Sequence, residues 1–293
     1  MIKLFRIECS STFQLLRFHF SFFLMPVYWF AISQVPHINV NNAILVFVIL
    51  HLLVYPASNG YNSFMDRDTG SIGGVRHPLQ PTIQLFYTTV VMDFAAILAA
   101  LMISPVFALG ILLYILASRA YSYRKIRLKK YPLTGYFTVI VFQGAIAYYL
   151  VYHGCESNHT LHVPVIGMLA ASLLIGGFYP LTQIYQHNDD QKDGVITLSY
   201  KLGYRGTFIF TGIVYALAFG TLGLQYFLNL EWIRFIILQI FMIPVIVYFF
   251  TWGKKVWVNL DAANFKNTMR MNFLASACSN LGFFTLLMLR SFE

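Results

Sequence analysis

The stretch Asn59-Gly-Tyr-Asn-Ser-Phe-Met-Asp-Arg-Asp68 decides how this chain is read. It directly follows the apolar run Ala43 to Ala57, so it lies at or near the end of a membrane span. Asn62 and Asp66 are four residues apart and would share one face of a helix. Carboxylates beside a bilayer are costly and rarely occur without a function. An amide and carboxylates that converge at a helix end form an all-oxygen pocket, which suits Mg²⁺.

A second acidic segment follows about 120 residues later: Tyr185-Gln-His-Asn-Asp-Asp-Gln-Lys-Asp193, then Gly194. Asp189 and Asp193 repeat the one-turn spacing of Asn62 and Asp66. Each segment comes after an apolar span and is ended by glycine. Two facing acidic clusters would hold a pair of Mg²⁺ ions on a substrate that carries several phosphate oxygens.

The composition is that of a polytopic membrane protein. Of the 293 residues, 58% are hydrophobic and only 11% are charged, whereas soluble domains contain about 25% charged residues. We expect one all-α domain over residues 1–293, a membrane helix bundle around a central cavity. The cysteines Cys9, Cys155 and Cys278 are far apart, which argues against a disulfide framework and against zinc.

The hydropathy pattern predicts about nine membrane spans. The first is interpreted as a retained span rather than a cleaved signal peptide. The third and fourth are divided only by Ser104-Pro105, and either a tight helical hairpin or one long kinked helix fits. The predicted spans are Phe13–Ser33, Asn42–Ser58, Ile83–Ile103, Pro105–Ala117, Tyr136–Tyr152, Val163–Leu181, Phe208–Phe227, Ile233–Trp252 and Met271–Leu289.

The distribution of positive charge predicts the topology. With nine spans, all of the 20 Lys and Arg residues except Arg234 and Arg290 fall on one side of the membrane. The positive-inside rule makes that side cytoplasmic, in a bacterial-type inner membrane. The N-terminus and both acidic segments lie there, so the segments can meet. The net charge of +9 is thereby explained without nucleic acid as a partner.

A basic loop on the same side adds a third element. The segment Tyr123 to Pro132 carries five cations within seven residues. Arginine suits bidentate contact with phosphate, and lysine acts as a point charge. The loop could equally serve as a topology determinant that contacts anionic lipid head groups.

Three motifs in this order resemble the UbiA-type superfamily of intramembrane aromatic prenyltransferases. They are Asn-x-x-x-Asp after the second span, a basic loop with Tyr and Pro after the fourth, and Asp-x-x-x-Asp after the sixth. The resemblance covers about residues 13–290. It implies Mg²⁺-dependent transfer of a prenyl group from a prenyl diphosphate to a lipophilic, often aromatic acceptor, through a carbocation-like transition state, among membrane lipids.

The resemblance also implies roles for individual residues. The catalytic candidates are Asp66, Asp189 and Asp193, and with Asn62 they are also the candidate metal ligands. The candidate substrate-binding residues are Asn62, Arg67, Asp68, Arg124, Arg127, Lys129 and Tyr185. One position departs from the family pattern, because Gly70 stands where the first motif usually has a further Asp. Asp68 would join the site only if the helix has ended by then.

Several alternatives are open at this level. Asp68 and Asp190 would either join the metal site or face water. Asp93, inside the third span, would either bridge helices or touch the acceptor. An ion-coupled secondary transporter also keeps acids within a membrane, but near its midplane rather than at span ends. A CDP-alcohol-type phosphotransferase would concentrate its aspartates in one helix pair, whereas here two distant loops carry them.

Overall fold

The computed structural model describes residues 2–290, and the side chains of residues 9–290. Within that range the regular structure is helical, apart from two isolated β-bridges, Ile38 with Glu156 and Ile72 with Val75. The helices are α1 Ile2–Leu16, α2 Met25–Ser33, α3 Val40–Asp66, α4 Ile83–Leu101, α5 Pro105–Ser122, α6 Pro132–Cys155, α7 Val165–Gln183, α8 His187–Lys192, α9 Leu198–Leu228, α10 Trp232–Val258 and α11 Phe265–Arg290. The all-α fold predicted from the sequence is confirmed.

Eight of these helices are long and apolar enough to cross a membrane, and a bent pair of helical segments would make a ninth span. Their outward faces need lipid rather than water. In α10, only 11% of the most apolar 18-residue part is buried inside the protein. Apolar side chains on both faces of such a helix indicate burial in hydrocarbon. The protein is therefore an integral membrane protein.

The first span is broken, although the sequence predicted one run over Phe13–Ser33. The segments Cys9–Phe23 and Met25–Ser33 meet at an angle of 40°. Arg17 ends α1 in the left-handed conformation, with φ at 49°, and Pro26 begins α2. Proline is favourable in a first helical turn and cannot continue the helix before it. The break leaves the Arg17 side chain 6% exposed, inside the bundle.

The third and fourth spans form a helical hairpin. Between α4 and α5, the Ser104 hydroxyl accepts a hydrogen bond from the Phe107 N–H at 3.0 Å and caps α5. Asp93 of α4 contacts Arg119 of α5, so the two helices run antiparallel. The hairpin is the first of the two arrangements that the sequence allowed.

Helix α3 extends well beyond the predicted span Asn42–Ser58. It passes through a wide π-helical turn over Val48–Val54 and ends at Asp66, where Arg67 takes the left-handed conformation with φ at 56°. A second π-helical turn lies within α6, over Ile140–Ile146. Asn62 and Asp66 therefore do lie on one continuous helix, and the chain leaves that helix directly afterwards.

The bundle contains an apolar chamber and a polar pocket. An apolar chamber of about 300 Å³ lies between α2, α7, α9, α10 and α11, lined by residues such as Val27, Leu174, Phe178, Tyr215, Phe249 and Met271. A smaller polar pocket of about 140 Å³ lies between α3, α5, α6 and α7, lined by residues such as Arg17, Asn59, Asn62, Ser122, Gln143 and Tyr179. The cavities within the bundle thus differ in polarity.

Candidate functional site

Asp66, the last residue of α3, is enclosed by the basic loop. Its side chain is only 4% exposed. The Lys129 ammonium contacts Oδ2, and Arg127 Nη2 lies 3.5 Å from Oδ1. A carboxylate this deeply buried requires opposite charge close by. The two cations supply it.

Arg127 connects the two acidic segments. Its Nη2 contacts Asp193 Oδ2 as well as approaching Asp66, and its Nη1 donates to the Asp193 carbonyl at 3.0 Å. Arg124 Nη1 lies 3.4 Å from Asp193 Oδ1. Residues separated by more than 120 positions in the chain thus share one guanidinium. The cations lie between the two acidic segments.

Arg124 also closes the end of α3. Its Nε donates to the Met65 carbonyl at 2.7 Å, and its Nη2 donates to the Asp66 carbonyl at 3.1 Å. The last carbonyls of a helix have no partner within the helix, and a cation there interacts favourably with the helix dipole. The basic loop is thereby docked onto the helix that carries the first motif.

The Asn62 side chain lies one turn below Asp66, at the edge of the polar pocket. Its Oδ1 accepts hydrogen bonds from Ser122 Oγ at 2.8 Å and from Lys129 Nζ at 3.3 Å. The amide oxygen therefore faces the same group of cations as Asp66. Asn62 and Asp66 form one oxygen-bearing face, as their spacing predicted.

Asp68 turns towards this group because α3 has already ended at Asp66. Burial raises the pKa of its carboxyl to about 6, and the charge of Asp66 adds to the shift, while Lys129 and Arg17 oppose it. The sequence predicted that Asp68 would join the site only if the helix ended before it, and the helix does end before it.

Asp189 and Asp190 face different surroundings on the short helix α8. The Asp189 side chain is 52% exposed and lies 3.4 Å from the Lys192 ammonium. Burial raises the pKa of Asp190 to about 7, Lys129 opposes the shift, and Asp68, Asp66 and Asp189 add to it. The inward carboxyl is therefore Asp190, which the sequence left open between the site and water.

Gly70 lies directly against Asp189. A Cβ at position 70 would be 2.2 Å from Asp189 Oδ2, so a side chain there would require the Asp189 carboxylate to move. The family pattern has an aspartate at this position. In this chain the close approach of the Gly70 backbone occupies that space, and the Gln186 side chain, whose Nε2 donates to the Ser71 carbonyl at 3.2 Å, holds the two segments together.

Two further candidates lie at the margins of this group. Arg67 is exposed, and its guanidinium lies over the Phe64 ring at 5.9 Å from the centroid. It is not among the cations that contact the carboxylates. The Tyr185 hydroxyl is buried without a hydrogen-bond partner, and burial raises the pKa of this phenol. Its ring packs edge-on against Phe265 at 5.2 Å.

Arg17 is a site residue that the sequence did not single out. Its Nη2 donates to the Asn59 carbonyl at 3.2 Å, its Nη1 lies 3.5 Å from the Gly73 carbonyl, and its Nε is buried without a partner. Within the described residues it forms no salt bridge. The sequence signal that could have identified Arg17 is a lone arginine inside a predicted span, because charged residues within membrane spans are costly and usually have a function.

The donor set fits Mg²⁺ by its chemistry. Asn62, Asp66, Asp68, Asp189, Asp190 and Asp193 all offer oxygen, the ligand type that this ion requires. Burial raises the pKa values of Asp68 and Asp190, and the neighbouring carboxylates add to both shifts. Among residues 9–290, whose side chains are described, no three acidic, histidine or cysteine side chains are grouped closely enough to hold an ion. Arg127 and Lys129 contact the carboxylates instead.

The fold and the site together define a helical membrane protein with an acidic and basic cluster at one end of its bundle. The family model of the UbiA prenyltransferase family matches residues 21–274, and the chain belongs to this family. It is therefore an intramembrane prenyltransferase. A search of curated proteins found no match.

Solved structures with the same fold include UbiA homologues and a digeranylgeranylglyceryl phosphate synthase. A UbiA homologue from Archaeoglobus fulgidus bound to DMAPP and Mg²⁺ is similar at a TM-score of 0.67 and 18% identity, over 95% of this chain and 99% of that one. The apo UbiA homologue from Aeropyrum pernix K1 gives 0.69 and 16%, over 92% and 98%. A digeranylgeranylglyceryl phosphate synthase gives 0.62 and 17%, over 96% and 99%.

Proposed function

We propose that this enzyme transfers the prenyl group of a prenyl diphosphate to an aromatic or polycyclic lipophilic acceptor, such as a quinone precursor, with Mg²⁺ bound at the acidic cluster. The observation that carries the proposal is the shared contact of Arg127 with Asp66 and Asp193. The Archaeoglobus fulgidus homologue that binds DMAPP and Mg²⁺ supports the donor and the metal.

Asn62, Asp66, Asp189 and Asp193 would hold the metal, with Asp68 and Asp190 as additional carboxylates beside them. When bound, Mg²⁺ supplies positive charge that stabilises the negative charge developing on the departing diphosphate. Arg124, Arg127 and Lys129 add to that charge from the basic loop. Preorganised cations of this kind stabilise the transition state without further reorganisation.

The allylic C–O bond breaks, and its electron pair leaves with the diphosphate. The carbocation-like carbon is then attacked by an electron-rich carbon or a hydroxyl of the acceptor, which loses a proton. The rings of Tyr121, Phe142 and Tyr179 line the polar pocket beside Asn62, and aromatic faces stabilise nearby cations. The apolar chamber of about 300 Å³ suits the hydrocarbon chain, and exclusion of water prevents hydrolysis.

A carrier is the rival function. Its acids would lie near the membrane midplane, whereas Asp66 is the last residue of α3 and Asp193 follows α8. The family match also favours the enzyme. We further propose that the cluster faces the cytoplasm in a bacterial-type inner membrane, following the positive-inside rule.

The test uses membranes that contain the enzyme and its own acceptor, with a radiolabelled prenyl diphosphate. We expect Asp66→Asn and Asp193→Asn to lower Mg²⁺-dependent transfer of label into lipid by a factor of about 10² or more, because each removes a carboxylate that would hold the Mg²⁺ that stabilises the departing diphosphate. Asp261→Asn is the matched control, since this acid is exposed beyond α10. Wild-type transfer in both cluster variants would contradict the proposal.

The acceptor is best identified from lipids. Mass spectrometry of a deletion strain should show a missing prenylated lipid together with accumulation of its unprenylated precursor. A strain complemented with Asp66→Asn should show the same pattern, and a strain complemented with Asp261→Asn should not.

A further inference from the structure

An ion pair inside the α4–α5 hairpin lies outside the acidic cluster. Arg119 Nε donates to Asp93 Oδ2 at 2.9 Å, and the Asp93 and Arg119 side chains are 14% and 19% exposed. Arg119 Nη1 also donates to Thr89 Oγ1 at 3.2 Å. An ion pair of this kind is costly in a membrane, and apolar side chains could join two helices equally well. The charges therefore call for a function beyond holding the hairpin together.

The Arg119 guanidinium reaches a third helix. Its central carbon lies 3.9 Å from the centroid of the Tyr61 ring of α3, and planar guanidinium groups stack favourably on aromatic faces. Tyr61 directly precedes Asn62 in the chain. The Arg119 side chain, anchored by Asp93, thus joins α5 to the helix that carries the first acidic motif.

Polar contacts on both sides of Arg119 depend on the rotation of α5. One turn further along, Ser122 Oγ donates to Asn62 Oδ1 at 2.8 Å. On the other side, the Ser118 hydroxyl contacts the Ser58 hydroxyl. A rotation of α5 would move both serines away from α3. The Asn62 amide would then lose the hydrogen bond that orients it.

The basic loop also starts from this point. The Tyr123 N–H donates to the Arg119 carbonyl at 2.8 Å, and the Arg127 N–H donates to the Tyr123 carbonyl at 2.7 Å. The end of α5 therefore determines where Arg124 and Arg127 begin. Through Arg119, Asp93 therefore affects both the Asn62 amide oxygen and the cations of the basic loop.

We propose that Asp93 is a positioning residue for prenyl transfer, which through Arg119 orients Asn62 and the basic loop towards metal and diphosphate. The inference rests on the proposed metal and diphosphate site. Asp93 itself touches neither substrate nor metal. Loss of such an outer partner typically costs about 10- to 100-fold in metal affinity or activity.

The test compares Asp93→Asn with Asp93→Glu and with Glu231→Gln in membranes that contain each enzyme and its own acceptor, and melting temperatures are measured on the purified variants. Glu231 pairs with Arg234 at the other end of the bundle, so it is a matched ion-pair control. We expect Asp93→Asn to raise both the half-saturating Mg²⁺ concentration and the KM for geranyl diphosphate about tenfold or more. Asp93→Glu should recover part of that loss, and Glu231→Gln should leave both values unchanged.

Arg119→Lys is the second variant, in case Asp93→Asn does not fold. It keeps a positive charge beside Asp93 but loses the stacking on Tyr61, and we expect the same two shifts. Unchanged Mg²⁺ and KM values in the folded variants, with only a lower melting temperature, would overturn the proposal. If these values are unchanged while Asp66→Asn is inactive in the same assay, only the role of Asp93 fails and the proposed function stands. If Asp66→Asn is fully active, the proposed function itself fails.

Discussion

The carboxyl of Asp190 illustrates how surroundings, rather than residue type, set the chemistry of one side chain. Asp189 and Asp190 are neighbours in the chain, yet Asp189 is half exposed and Asp190 faces Asp68 and Asp66. Burial raises the pKa of Asp190 to about 7, from an ordinary value of 3.8. If Asp190 binds Mg²⁺ as proposed, protons and Mg²⁺ compete for this carboxyl near neutral pH.

This competition predicts a pH-dependent metal requirement. Below pH 7 the Asp190 carboxyl is mostly protonated and cannot bind metal, so the half-saturating Mg²⁺ concentration should rise several-fold between pH 8 and pH 6. Asp190→Asn should flatten this dependence, and Asp261→Asn should keep it. Equal slopes in Asp190→Asn and wild type would count against a role for Asp190.

The same shift has a consequence for stability. A carboxyl whose pKa is raised by folding destabilises the folded state as pH rises from about 4 to 7, because the unfolded state releases its proton in this range while the folded state still holds it. Bound Mg²⁺ should offset that loss of folded-state stability. The increase in melting temperature on adding Mg²⁺ should therefore be larger at pH 8 than at pH 6.

Residue spacing predicted which side chains share a face but not which of them meet. The four-residue spacing correctly placed Asn62 and Asp66 on one helix. It could not show that Asp190 turns inward, since α8 spans only six residues and its orientation depends on contacts with other segments. Arg17 was missed for a related reason, because its position depends on a helix break within an apolar run.

At the scale of elements, the broken first span holds the loop that follows α3. Arg17, at the end of α1, bonds to Gly73 in this loop and to Asn59 in α3. Ser11 Oγ donates to the Gln80 carbonyl at 2.6 Å from the preceding helix. The first span is therefore part of the site as well as a membrane anchor.

Removing the Arg17 side chain should loosen this loop. We expect Arg17→Ala to increase backbone hydrogen exchange over residues 67–82 and to lower prenyl transfer, because a buried cation and its two backbone contacts are lost. Arg76→Ala, an exposed arginine in the same loop, is the control. Unchanged exchange over residues 67–82 in Arg17→Ala would show that the loop is held by other contacts.

Hydropathy predicted the order of the spans well and their ends poorly. The boundary of α3 was placed at Ser58, although the helix continues to Asp66, because its last two turns are polar and carry no hydropathy signal. The break in the first span was hidden for the opposite reason. The residues of the first span are apolar on both sides of Arg17, so the mean hydropathy of the whole run gave no sign of the break.

At the scale of the whole molecule, the two ends of the bundle differ in charge. The acidic cluster and the basic loop meet at one end, while the loops after α2 and α6 meet at the other through Ile38 and Glu156. This arrangement agrees with the alternation of nine spans. The number of spans follows from sequence, whereas the approach of Asp66 and Asp193 to one guanidinium required the packing of all of them.

The orientation can be tested with single cysteines in a variant that lacks Cys9, Cys155 and Cys278. Lys125 lies in the exposed basic loop, and Ser157 lies in the exposed loop after α6. We expect a membrane-impermeant maleimide to label Ser157→Cys in intact cells and Lys125→Cys only after permeabilisation. The reverse pattern would place the acidic cluster outside the cytoplasm.

The π-helical turn over Val48–Val54 has a consequence for how such chains diverge. A π-helical turn accommodates one residue more than an α-helical turn, and each residue rotates a helix by about 100°. Deleting a single residue there would leave the hydrophobic run intact, yet it would swing Asn62 and Asp66 off the side of α3 that meets Ser122. The orientation of the acidic motif thus depends on the extra residue of a π-helical turn about two turns upstream. That residue lies in apolar sequence, so its deletion would not change the predicted membrane span.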